Sequence, residues 1–161
     1  LLTGCDPMLF AEPIPPCDQL RSAGLNITVE TAGTLYLPLA CDLMSISPKT
    51  ANSAPDADAY PKWNARHERT RHAPAVIRRL VSEYTYQIKF VVADPADLDE
   101  IENWLLEFPE IDWEQVMLMP EGMTTKRLEE VGAWLEPRCR QLGFAYCPRR
   151  QIEWFGAARE T

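Results

Sequence analysis

The sequence predicts an α/β protein built on a parallel sheet. Three observations point there. Strand-like and helix-like patterns alternate along the chain. The apolar residues of the helical stretches fall on one face. Small and polar turn residues gather directly after the strand patterns, on the rim where parallel α/β folds place their sites. The repeated βαβ order implies right-handed crossovers. The length of 161 residues suits one ordinary domain with a real core.

The elements follow in order. Leu1-Leu2-Thr3-Gly4 reads as the end of a strand entering a turn, so the chain is expected to lack its beginning. Met8 to Ala23 carries a helical pattern interrupted by prolines and ended by Gly24. Ile27 and Val29 alternate with Thr28 and Glu30, a short strand ending at Glu30-Thr31. Asp42 to Ser47 is a second strand, stopped by Pro48. Ala73 to Tyr84 places Val76, Ile77, Leu80 and Val81 on one helix face. Tyr86 to Val92 is rich in β-branched and aromatic residues, a third strand. Pro95 to Phe108 is a helix with Asp94 as N-cap and Leu98, Ile101, Leu105 and Leu106 as its apolar side. Val116 to Met119 is a fourth strand, stopped by Pro120. Thr124 to Leu142 is a helix carrying Leu128, Val131, Leu135 and Leu142, ended by Gly143. Gly143 to Cys147 reads as one more strand.

Composition narrows the function. Sixteen Lys and Arg against 24 Asp and Glu leave a net charge of −8. That balance argues against a general nucleic-acid or membrane-surface binder, which needs a basic field. No apolar run approaches the ~18 residues of a membrane span. The five cysteines, Cys5, Cys17, Cys41, Cys139 and Cys147, are scattered and show no Cys-x-x-Cys spacing. They read as free thiols of a reducing, cytoplasmic setting, with neither a disulfide framework nor a local metal motif. His67 and His72 lie in an Arg-rich stretch and suit a surface or phosphate contact better than metal ligation. Lys62 to Arg79 holds six Lys and Arg against Glu68, either a solvated face or a surface for an acidic partner. Asp94 to Glu136 holds thirteen acids against Lys126 and Arg127; its Asp94, Asp97 and Asp99 suit a helix N-terminus.

Four polar groups follow strands: Thr3-Gly4, Glu30-Thr31, Ser47-Pro48-Lys49 and Met119-Pro120-Glu121-Gly122. Thr3-Gly4 permits close backbone approach beside a hydroxyl. Ser47 and Lys49 offer a hydroxyl and a cation to a carboxylate or ribose. Glu30 accepts from an amino or ring N–H. A small, polar, zwitterionic ligand fits this set better than a macromolecule.

These segments also carry a family resemblance. Thr3-Gly4-Cys5-Asp6-Pro7, Glu30-Thr31-Ala32-Gly33-Thr34, Asp42 through Lys49, Lys89 through Val92, Met119 through Gly122, and the tail from Cys147-Pro148-Arg149 to Trp154-Phe155-Gly156 together resemble 7-carboxy-7-deazaguanine synthase. This is a radical S-adenosylmethionine (SAM) enzyme of the queuosine, tRNA-modification pathway. The resemblance implies that residues 1–161 form a single domain, an incomplete parallel (βα) barrel of the radical SAM type, N-terminally truncated. It implies a homodimeric, metal-binding lyase that contracts the ring of 6-carboxy-5,6,7,8-tetrahydropterin with loss of ammonia. The resemblance further implies that a [4Fe–4S] cluster, reduced by a donor such as flavodoxin, would cleave SAM to a deoxyadenosyl radical, with Mg2+ assisting. Carried over by motif, Gly4, Cys5 and Asp6 would hold the SAM amino group. Ser47, Pro48, Lys49, Leu118, Met119, Pro120 and Glu121 would line SAM. Thr3, Glu30, Gln151 and Thr161 would meet the pterin. No residue of the chain is assigned a catalytic or metal-ligating role. The cluster's Cys-x3-Cys-x2-Cys motif and the magnesium ligand are expected ahead of Thr3, which would leave this fragment inactive. Gly4-Cys5-Asp6-Pro7 stands for the family's Gly-Gly-Glu-Pro, Gln151 for a frequent His, and Glu160 for a Gly. Two other readings share parts of this pattern: an activase-type radical SAM enzyme, and a non-catalytic remnant.

Overall fold

The computed structural model describes residues 1, 2, 6–10 and 14–156. They divide into two compact units, Leu1–Ile88 and Lys89–Thr161. The expectations for Thr3, Gly4, Cys5 and Thr161 lie outside the described residues.

The first unit is built on β1 (Thr28–Thr31), β2 (Leu43–Ile46) and the first part of β3 (Tyr86–Val92), in that order and all parallel. Val29 stands opposite Met44, and Ile46 opposite Ile88. Leu2 continues the ladder beyond β1: its N–H donates to Thr28 O at 2.8 Å and its carbonyl accepts from Glu30 N at 3.0 Å. The strand end expected at Leu1-Leu2 is therefore present. Val29, Met44, Ile46, Ile77, Leu80 and Ile88 are fully or almost fully buried and form the core. Burial of such side chains is worth ~1.5–3 kcal/mol each.

The helix expected from Met8 to Ala23 is two pieces. A 3-10 turn spans Pro7–Leu9, Phe10 is extended, and α1 spans Ile14–Ser22. Proline explains the split: Pro7 opens the turn, while Pro15 and Pro16 fall in the first turn of α1, where a missing N–H costs nothing. Met8 and Cys17 are buried, whereas Leu9 and Leu20 are exposed. A second helix, α2 (Pro61–Thr70), was not anticipated. It buries no residue, so it has no apolar periodicity to read. The next, α3 (Pro74–Glu83), turns Ile77 and Leu80 into the core and leaves Val76 and Val81 half-buried.

The second unit takes the remainder of β3, then β4 (Val116–Pro120) and β5 (Ala145–Tyr146), again in that order. Met117 pairs with Ala145 and Leu118 with Tyr146, in parallel. Pro120 belongs to β4 as its last residue, a position where no ladder N–H is needed. The helix after β3 is α4 (Ala96–Leu106), and Asp94 sits one residue outside the expected capping position. Its carboxylate still accepts from Ala96 N at 2.8 Å. Leu98, Ile101 and Leu105 are buried, but Leu106 is exposed. Trp104 packs against Phe90 and Phe108, with ring centroids 5.2 and 4.3 Å away. The long α5 (Thr125–Leu142) starts as expected from Thr124, whose hydroxyl accepts from Arg127 N, and stops at Gly143 in the left-handed region. Leu128, Val131, Leu135 and Cys139 are its buried stripe. A short α6 (Arg150–Phe155) follows. Among the described residues, no helix is long and apolar enough to cross a membrane.

Gly33 has φ +71, and a Cβ there would lie 2.9 Å from Ile46 Cγ2 and nearer still to Ile77 Cδ1. Gly143 has φ +80 with open space around it. Gly33→Ala is expected to cost about 2–4 kcal/mol, from left-handed strain plus overpacking, and Gly143→Ala only about 1–2 from strain. Urea denaturation of both variants measures the difference; equal losses would show that packing at Gly33 is slack.

Candidate functional site

In the first unit, one carboxylate ties the segment after Leu2 to the end of β1. Asp6 Oδ2 accepts from the Thr31 hydroxyl at 2.9 Å and from Ala32 N at 2.9 Å. Asp6 Oδ1 accepts from Met8 N at 3.0 Å. The Thr31 hydroxyl, itself buried, accepts from Gly33 N at 3.1 Å. The loop after β2 is joined to the same point: Ser47 N donates to Thr31 O at 2.7 Å. Ser47 and Lys49 are half-buried and Pro48 is buried. Glu30 is half-buried on β1.

The flanking helices brace these loops. Arg71 Nη1 donates to Lys49 O at 3.1 Å, and Arg71 Nε donates to Glu68 Oε2 at 3.1 Å. His67 bridges Ser53 Oγ at 3.0 Å and Glu68 Oε1 at 3.2 Å. These residues of the basic stretch therefore serve the loop after β2. Tyr36 donates to Glu83 Oε2, while Arg79 donates to Glu83 Oε1 at 2.8 Å and stacks 3.5 Å over the Tyr36 ring. This cluster fastens the segment after Gly33 to α3.

In the second unit, the ends of β3 and β4 are held by charged side chains. Asp97 is buried and its Oδ2 accepts from Ala93 N at 2.7 Å and Asp94 N at 3.2 Å. Arg127 Nη2 donates to Ala93 O at 2.9 Å, and Arg127 Nε lies 3.6 Å from Glu121 Oε2. Glu121 N donates to Val92 O at 2.7 Å. Arg149 Nη1 donates to Gly122 O at 3.2 Å. Leu118, Met119 and Pro120 are buried, Glu121 is half-buried, and Gln151 is exposed on α6.

Among the described residues, no three His, Cys, Asp or Glu side chains gather as a metal site. Cys17, Cys41 and Cys139 are buried thiols, and burial pushes Cys41 and Cys139 up to about 11. Such thiols stay protonated and are poor ligands and nucleophiles.

The comparisons with known proteins speak to this arrangement. Across 162 aligned positions the chain is 40% identical to a 7-carboxy-7-deazaguanine synthase of Rhodopirellula baltica, covering all of this chain and 63% of that protein. Across 170 positions it is 38% identical to the 7-carboxy-7-deazaguanine synthase of Halobacterium salinarum, covering all of this chain and 66% of that one. This chain is a homologue of the 7-carboxy-7-deazaguanine synthases. It spans just under two thirds of the length of these synthases. No family model matches it. Its fold is that of QueE from Escherichia coli, with a TM-score of 0.61 over 91% of this chain and 54% of that one, at 17% identity. The expected α/β fold, an incomplete parallel barrel, is thereby found, as is the expected kinship with the synthases.

The synthase motifs fall on strand ends in both units. Asp6, Thr31, Ala32, Gly33 and Ser47 are brought together in the first unit by hydrogen bonds; Pro120, Glu121 and Gly122 close β4 in the second. Thr31 and Arg149 stand in the quoted segments without an individual role, and Arg71 and Arg127 lie outside them. Thr31 stands beside Glu30 in a recognised motif, and its signal was a hydroxyl at an inward strand position.

Asp6→Asn puts an amide donor against at least one of the N–H or O–H donors now satisfied. It should cost about 1–3 kcal/mol in urea denaturation, and unchanged stability would remove Asp6 as the tie. Native protein treated with iodoacetamide at pH 8 should be modified at half-buried Cys147 well before Cys17, Cys41 or Cys139, by peptide mass mapping. Equal rates at all four would contradict the burial described.

Proposed function

We propose that this chain belongs to a 7-carboxy-7-deazaguanine synthase and supplies its strand-end loops for SAM and pterin. The observation that carries this reading is the 40% identity to such a synthase along the whole of this chain. The Asp6 tie supports it, because it fixes two synthase-like motifs, Asp6-Pro7 and Glu30 through Thr34, in one place. Fixed loops lower the entropic cost of holding a flexible ligand.

On this reading, Gly4, Cys5 and Asp6 hold the SAM amino group. Ser47, Pro48 and Lys49 line SAM from the loop after β2, and Leu118 through Glu121 line it from β4. Lys49 supplies a cation for a carboxylate, and Ser47 a hydroxyl. Glu30 accepts from pterin N–H groups, while Thr3, Gln151 and Thr161 meet the substrate. The substrate is 6-carboxy-5,6,7,8-tetrahydropterin, and the lyase reaction releases ammonia. A [4Fe–4S] cluster and Mg2+, held elsewhere in the synthase, would supply the electron for SAM cleavage and assist the reaction. The described residues do not fit either group, since none gather as a metal site. A homodimer, a flavodoxin-type electron donor and a cytoplasmic setting complete the proposal.

The test uses the longest polypeptide encoded in frame with this sequence. Reconstituted anaerobically with iron and sulfide, and given SAM, Mg2+, a reductant and the carboxypterin, it should form 7-carboxy-7-deazaguanine, detected by mass. Cleavage of SAM without that product would favour an activase-type enzyme. A protein with a loaded cluster and no SAM cleavage would overturn the enzyme reading.

A further inference from the structure

Arg149 lies three residues beyond β5, past the last ladder bond from Cys147 N to Leu118 O at 2.9 Å. It is half-buried, and its Nη1 donates to Gly122 O at 3.2 Å. Its Nε is buried and has no hydrogen-bond partner. Among the described residues its one polar contact is that to Gly122 O, and it makes no ion pair. The neighbouring acid, Glu121, lies against Arg127.

This is an unusual state for arginine. Arginine keeps most of its N–H groups paired or in water, and burying one of them without an acceptor is unfavourable. A buried N–H with no acceptor calls for an absent partner. The side of the guanidinium away from Gly122, formed by Nε and Nη2, is the fork that accepts the two oxygens of a carboxylate. The position also suits a ligand, because Arg149 follows the C-terminal end of a parallel strand.

We propose that Arg149 clamps the Glu121–Gly122 loop with Nη1 and binds a ligand carboxylate with Nε and Nη2. The identity of that carboxylate rests on the proposed function: it is either the methionyl carboxylate of SAM or the carboxylate of the pterin. No bond is made or broken at this contact.

The experiment follows the Arg149 Nε–H signal in 15N-arginine-labelled protein, in the longest in-frame polypeptide. Arg149→Gln assigns the signal by deleting it. SAM, 6-carboxypterin and pterin without the carboxylate are added in turn. A downfield shift with SAM or with 6-carboxypterin, absent with plain pterin, supports the proposal and names the source. Titration calorimetry should then show that ligand bound at least ~10-fold more weakly by Arg149→Gln, a loss of about 1.4 kcal/mol, with partial recovery in Arg149→Lys. Bound SAM and 6-carboxypterin with an unmoved signal would overturn the proposal and leave the functional reading standing. If neither ligand binds the wild-type protein, the functional reading fails, and sodium acetate decides Arg149 alone. A saturable shift confined to its signal supports the fork; no shift overturns it. The shift itself is read in wild-type protein, and Arg149→Lys, which also lacks the Nε–H, assigns the signal should Arg149→Gln fail to fold.

Discussion

The Asp6 carboxylate is the tie on which the first unit's loops depend. It satisfies a buried hydroxyl, a loop amide and the first amide of a 3-10 turn at once. None of these donors is a group that helix or sheet bonding satisfies, and leaving one unmade costs ~1–3 kcal/mol. The consequences spread outward. With Thr31 held, its hydroxyl accepts from Gly33 N, and Gly33 adopts the left-handed turn that lets Ile46 and Ile77 close beneath it. With the end of β1 fixed, Ser47 N finds Thr31 O, and the Ser47-Pro48-Lys49 loop leaves β2 in one direction.

The second unit solves the same problem with different side chains. Backbone groups past the end of β3 have no ladder partner, and Ala93 gives its N–H to Asp97 and its carbonyl to Arg127. The acidic surplus of this region is thus partly structural. Asp97 is buried because it caps backbone, which is among the few ways a carboxylate is kept out of water. In both units, charged side chains finish strand ends in parallel folds, where ligands bind. Rigidity there is what a small-molecule site needs.

Much of the fold was legible in the sequence because its cues are periodic. Ile27, Val29 and Thr31 alternate, and Ile77 with Leu80, or Leu128 with Val131 and Leu135, recur at helical spacing. Stop signals were equally plain at Gly143 and Pro48. What failed lacks periodicity. The polar helix Pro61–Thr70 is held by Arg71 and His67 contacts to loops distant in sequence, and nothing local announces it. The Met8–Ala23 stretch looked helical throughout, but proline fixed where a helix was allowed to begin. Of the candidate site, the motifs were readable as strings. Their connection through Asp6 was not, since it spans 25 residues along the chain. Arg149 was invisible for another reason: a half-buried arginine with an unused edge is a property of surroundings, not of spacing.

Hydrogen–deuterium exchange with and without SAM, on the longest in-frame polypeptide, tests most directly whether the strand-end loops are the binding surface. Amides of Ala32 to Thr34, Ser47, Lys49, Thr50, Glu121 and Gly122 should exchange more slowly with SAM present, while exposed α2 is unchanged. SAM binding that protects none of these loops, and instead slows exchange along α5 alone, would contradict it.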